Sequence, residues 1–128
     1  KWYVAEVLSD EAARFLAAGH YLIAPDLLGS EVGNVLWKKV RRGEITYDEG
    51  FHALRAFGTA TVSIVDSAPL RIPAYEAAVL LGRTVHDCLY LVLADERKCP
   101  LVTADRRFYN ALRGSPYASQ VKWLEDVA

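Results

Sequence analysis

Thr84-Val85-His86-Asp87-Cys88-Leu89-Tyr90-Leu91-Val92-Leu93-Ala94, followed after a short polar break by Leu101-Val102-Thr103-Ala104-Asp105-Arg106-Arg107-Phe108, decides the fold. Thr84 to Asp87 has the Ser/Thr-x-x-Asp/Glu form of a capping box. Cys88 to Ala94 is apolar almost all the way round, which predicts a buried helix. Cys99-Pro100 breaks it. Residues 101–104 then read as a short, very apolar strand, and 105–113 as a helix ended by Gly114. Buried helix, buried strand, helix is the unit of a mainly parallel sheet covered on both faces.

The alternation continues outward. Ser9-Asp10-Glu11 reads as a helix start, with Ala12, Ala13, Phe15 and Leu16 as its apolar face and Gly19 at its end. Residues 20–24 read as a strand closed by Pro25. Residues 26–42 read as a long helix, with Leu28, Val32, Val35, Leu36 and Val40 at helical spacing and Gly43 after it. Thr46-Tyr47-Asp48-Glu49 opens another through Phe57, closed by Gly58. Residues 61–66 read as a strand, 73–81 as a helix terminated by Gly82, and 121–124 as a last strand. The expectation is one α/β domain over residues 1–128, a twisted parallel sheet between two helical layers. Its start is odd. Such a domain usually opens on a buried β-branched strand, whereas Lys1-Trp2-Tyr3 reads as the exit from one. The expectation is therefore that the first strand is absent and the chain truncated at its N-terminus.

Composition narrows the classes. The chain has 128 residues, 52% hydrophobic and 24% charged, enough for a real core and unlike a disordered segment. Fifteen basic and sixteen acidic side chains leave a net charge of −1, against nucleic-acid binding by bulk positive charge. No apolar run approaches the roughly 20 residues that span a bilayer. The opening residues have neither signal-peptide nor transit-peptide form. Cys88 and Cys99 make no zinc pattern and read as reduced thiols, so a cytoplasmic protein is expected.

Three carboxylates stand out. Glu31 borders the apolar face of the long helix, three residues after Leu28 and four before Val35. Asp87 lies in the first turn of the buried helix. Asp105 stands just beyond the carboxyl end of a strand, where sites in such sheets lie, as Asp66 does after residues 61–65. An acid beside apolar surface is costly unless paired, hydrogen-bonded or bound to a cation. Acids gathered in a cleft repel, and Mg²⁺ or Mn²⁺, which favour carboxylate and water oxygens, resolve the repulsion. Each acid also has a plain reading: Glu31 as a solvated helix carboxylate, Asp87 and Asp105 as caps. Spacing alone does not show that the three meet.

The two stretches quoted first resemble the C-terminal half of a PIN-domain ribonuclease of the VapC type, the toxin of a bacterial or archaeal toxin–antitoxin pair. Pro25-Asp26-Leu27-Leu28-Gly29-Ser30-Glu31-Val32-Gly33-Asn34-Val35-Leu36 resembles that family's first acidic helix. The resemblance covers nearly the whole chain, and its most specific parts are His86-Asp87-Cys88-x-Tyr90 and Thr103-Ala104-Asp105-x-x-Phe108. It implies a three-layer α/β/α PIN domain. It implies that Glu31, Asp87 and Asp105 bind Mg²⁺ or Mn²⁺, directly or through water, with Asn34 and Thr103 as polar groups supporting them. It implies a metal-activated water hydrolysing an RNA phosphodiester, a small antitoxin laid over the acidic cleft, and a homodimer. The family's first acid ends its opening strand, ahead of a Lys-Trp-like segment. Lys1-Trp2-Tyr3-Val4 matches the segment after that strand, so this acid is expected to be missing as well.

Other residues compete for a role. His86 is a candidate general base, but the resemblance assigns the chemistry to acids and metal. Lys38-Lys39-x-Arg41-Arg42 reads first as favourable charge at a helix C-terminus, alternatively as RNA phosphate contacts. Arg106 and Arg107 follow Asp105 directly and are better placed to hold a phosphate. Trp2, Trp37 and Trp123 read as core or interface residues. Tyr21, Leu22, Phe51 and Phe57 are candidate apolar contacts for partners, or core. Two other functions compete: a non-catalytic PIN-like binding or scaffold domain with an incomplete metal cluster, and a receiver- or phosphatase-type domain. The last needs an acid pair on the first strand, which is not visible.

Overall fold

The middle strand of the sheet is formed by residues whose sequence reads as a tail. In the computed structural model, which describes residues 2–6, 19–58 and 62–127, Trp2–Glu6 is a strand, β1. Tyr3, Val4 and Ala5 are buried. β1 pairs in parallel with β2 (Tyr21–Pro25) on one side, Trp2 opposite Tyr21, and with β4 (Leu101–Thr103) on the other, Glu6 opposite Thr103. The opening strand is therefore present. Trp, Tyr and Val are strong strand formers. Only three residues between the exposed Trp2 and the acid are buried, too few to stand out as a core strand. The helix expected after Ser9 lies outside the described residues.

β3 (Val62–Val65) flanks β2 and β5 (Val121–Trp123) flanks β4, giving the order β3-β2-β1-β4-β5 with every pairing parallel. The chain steps outward from β1 through β2 to β3, then crosses to the other side of β1 for β4. The reversal opens a crevice beyond the carboxyl ends of β1 and β4, the place where open α/β sheets bind ligands. Glu6 ends β1 and Asp105 follows β4 by two residues.

The helices are α1 (Leu28–Arg41), α2 (Tyr47–Gly58), α3 (Arg71–Leu81), α4 (Val85–Arg97) and α5 (Arg106–Arg113). Before α2 the predicted capping box forms both ways: Glu49 N–H donates to Thr46 Oγ1 at 3.1 Å and Thr46 N–H to Glu49 Oε1 at 2.9 Å. α3 stops at Gly82, whose φ of +66° suits a residue without a side chain. α4 is buried from Cys88 through Ala94, as its all-round apolar sequence predicted. With Val4, Leu101, Phe108 and Leu112 it forms the centre of the core.

Candidate active site at the sheet switch point

Four acids converge on the crevice. Glu31 enters from the first turn of α1, Asp87 from the first turn of α4, and Asp105 from the N-cap of α5. The fourth, Glu6, was missed by sequence reasoning. The signal available was an acid ending the strand-forming run Trp2-Tyr3-Val4-Ala5.

Glu6 shows what the gathering costs. Its Oε2 is buried with no hydrogen-bond partner. Burial, and then the charges of Asp87, Asp105 and Glu31, push its pKa from 4.5 up to about 9, with Arg83 pulling the other way. Burial also raises Glu31, opposed by the hydrogen bond it accepts from the Tyr90 hydroxyl at 2.5 Å. Tyr90 is itself buried, and burial followed by that bond holds its hydroxyl protonated.

Capping and clustering prove compatible. Asp87 uses its backbone in the cap, its N–H donating to Thr84 Oγ1 at 3.1 Å, which leaves the carboxylate to face the crevice. Asp105 divides its two oxygens. Oδ1 accepts the N–H groups of Arg107 at 3.0 Å and Phe108 at 3.2 Å, while Oδ2 is turned to the crevice. The fully buried Thr103 fixes it further, its Oγ1 accepting the Asp105 N–H at 3.0 Å.

Between Asp87 and Asp105 stands Arg83, also missed from the sequence. Its Nη2 donates to Asp87 Oδ2 at 3.0 Å and to Asp105 Oδ2 at 3.3 Å. Its guanidinium lies 5.7 Å from the Phe108 ring centroid. The available signal was an arginine next to the Thr84 cap and four residues before Asp87.

Asn34 is exposed on α1, and His86 and Arg107 are exposed. Arg106 lies over the Trp123 ring, 3.9 Å from its centroid. Asp66 is exposed and accepts the Ala68 N–H at 3.0 Å. Trp2 and Trp37 are exposed rather than core. Leu22 is core, Phe57 packs against the core, and Tyr21 and Phe51 are exposed. The Cys88 thiol is buried and pushed up to about 11, chiefly by that burial. That makes it a poor nucleophile.

The donor chemistry fits Mg²⁺ or Mn²⁺: the acids supply oxygen donors alone, one of them buried and unpartnered, and their repulsion is the kind a dication relieves. Among the described residues no three Asp, Glu, His or Cys side chains form a metal-holding group, and Arg83 engages two of the acids.

The PIN domain family model matches residues 1–113. Ribonuclease VapC3 of Pyrobaculum aerophilum is 33% identical over 107 residues, 82% of each chain. Ribonuclease VapC9 of Mycobacterium tuberculosis strain H37Rv and VapC ribonuclease Mb0985 of Mycobacterium bovis are each 31% identical over 104 residues, 81% of this chain and 80% of theirs. Among solved structures, PAE2754 from Pyrobaculum aerophilum matches with a TM-score of 0.74, covering 98% of this chain and 92% of its own. At 22% identity that likeness speaks to the fold.

Proposed function

This chain belongs to the PIN-domain family, and from that premise we propose that it is a metal-dependent endoribonuclease, the toxin of a toxin–antitoxin pair. The observation that carries the reading is the convergence of Glu6, Glu31, Asp87 and Asp105 at the sheet switch point, where burial first and then the charges of the other three acids raise the Glu6 carboxyl to about 9. These four would hold Mg²⁺ or Mn²⁺. When bound, such an ion supplies a water of lowered pKa and neutralises charge on a phosphodiester.

The chain's own groups orient and exclude. Tyr90 engages one Glu31 oxygen through its hydroxyl, and the other would be free to ligate a cation. Thr103 and the α5 N–H groups hold Asp105 so that only Oδ2 faces the crevice. The apolar floor of α4 keeps the acids partly out of water, which strengthens their pull on a cation. Arg107, exposed beside Asp105, is the candidate for the phosphate, and Asn34 for a polar contact one helical turn from Glu31. The partners are RNA, an antitoxin segment laid over the crevice and a second copy of the chain, in the cytoplasm.

A second reading has one observation in its favour. Arg83 bound to Asp87 and Asp105 suits a non-catalytic binding domain whose acids are structural. Incubation of a single-stranded RNA with the purified protein separates the two. Cleavage is expected with Mg²⁺ or Mn²⁺, is absent in EDTA, and falls at least about 100-fold in Asp87→Asn. Cleavage in EDTA, or unimpaired cleavage by that variant, refutes the nuclease assignment, and no cleavage by the parent protein favours the scaffold.

A further inference from the structure

We propose that Arg83 is an internal counter-ion of the acidic cluster: it holds Asp87 and Asp105 in place of a divalent cation and competes with that cation for them. The inference rests on the nuclease reading only for the kind of cation concerned.

One nitrogen, Nη2, reaches both Asp87 Oδ2 at 3.0 Å and Asp105 Oδ2 at 3.3 Å. It therefore sits in the space the two carboxylates share, where an ion bridging them would sit. A guanidinium does not lose its proton in proteins, so this positive charge is permanent. A dication approaching the same oxygens meets it at close range.

Arg83 differs from a surface ion pair in three respects. Its side chain is only 21% exposed. One partner is distant in sequence, so the contact ties the start of α4 to the start of α5. Phe108 lies beneath the guanidinium. Its Nε is buried with no hydrogen-bond partner, so the group is held by Nη2 and not locked by a complete set of bonds. Such an arginine can yield its acids when a stronger cation arrives.

The test is calorimetric titration of the RNA-free protein, stripped of metal, with Mn²⁺. Arg83→Gln keeps a donor and removes the charge, and is expected to bind Mn²⁺ about tenfold more tightly. Arg83→Lys keeps the charge and should bind like the parent protein. Without metal, Arg83→Gln should melt lower than the parent and gain more from added Mn²⁺. Should it fail to fold, Arg83→Met, which keeps an apolar stem over Phe108, serves the same comparison. Binding by the charge-free variant alone supports the proposal. Equal or weaker Mn²⁺ binding by the charge-free variant overturns it, and RNA cleavage by the parent with Mn²⁺ would then leave the nuclease reading standing. Absence of binding in every variant overturns both.

Discussion

Glu6 ties the fold to the pH behaviour of the protein. In the unfolded chain its carboxyl titrates near 4.5, and in the folded protein near 9. Between these values the folded state keeps a proton that the unfolded chain has released. Its contribution to stability is therefore fully present below about pH 4.5 and is lost as pH rises toward 9, at up to about 1.4 kcal/mol per pH unit. Glu6→Gln removes the ionisation while keeping the shape. In urea unfolding with EDTA present, the variant is expected to match the parent at pH 5 and to exceed it by about 1 kcal/mol or more at pH 8.5. Indistinguishable pH profiles would show that Glu6 is not held protonated. Glu31, raised by its own burial, still titrates in the variant, so some slope persists. The same burial explains what could be read in advance. Glu31, Asp87 and Asp105 announce themselves as acids beside apolar runs or at caps. Glu6 follows too short an apolar run to be noticed, and Arg83 looks like any charged residue ahead of a helix until Asp105 is brought beside it.

At the scale of elements, the junction between β4 and α5 carries two duties in five residues. Thr103 belongs to the strand and is fully buried, yet its hydroxyl accepts the N–H of Asp105, whose carboxylate caps the helix. Thr103→Val keeps the shape and deletes the acceptor, so a part-buried N–H loses its partner. The expected cost is about 1–3 kcal/mol by urea unfolding, with weaker Mn²⁺ binding because Asp105 is no longer fixed. Thr103→Ser should recover most of both, and a Thr103→Val protein as stable as its parent would deny the hydroxyl this role. Helices were the legible elements because their signals are local. Capping boxes at Thr46 and Thr84, Gly82 after α3 and the apolar run of α4 each need only a few neighbouring residues. Strand order is not local. Alternation of strand and helix implied a parallel sheet, but that β1 lies between β2 and β4 depends on which distant strands pair.

At the scale of the molecule, α3 is apolar on the side that faces outward. Ala74 and Ala77 are buried, and such small residues let the helix lie close to α4. Its large side chains point away: Ile72, Tyr75 and Val79, at helical spacing on one stripe, are 74%, 63% and 70% exposed. Sequence periodicity finds the helix but cannot say which stripe meets the core, because both are apolar. Among the described residues no single helix is long and apolar enough to cross a membrane, and α4's apolar surface is spent on the core, so the exposed α3 stripe calls for a covering partner. Exposed apolar patches of this kind mark interaction surfaces, and a two-fold axis would bring the same stripe of a second copy against it. The homodimer of the proposed toxin is therefore expected to form through α3. Ile72→Asp with Val79→Asp should sediment at the 14.2 kDa of one chain while the parent sediments at twice that mass. Because both side chains are exposed in the single chain, each change should alter its folding stability by no more than about 0.5 kcal/mol. A parent protein that sediments as a monomer, or a doubly substituted one that still pairs, would move the interface elsewhere and leave the stripe to another partner.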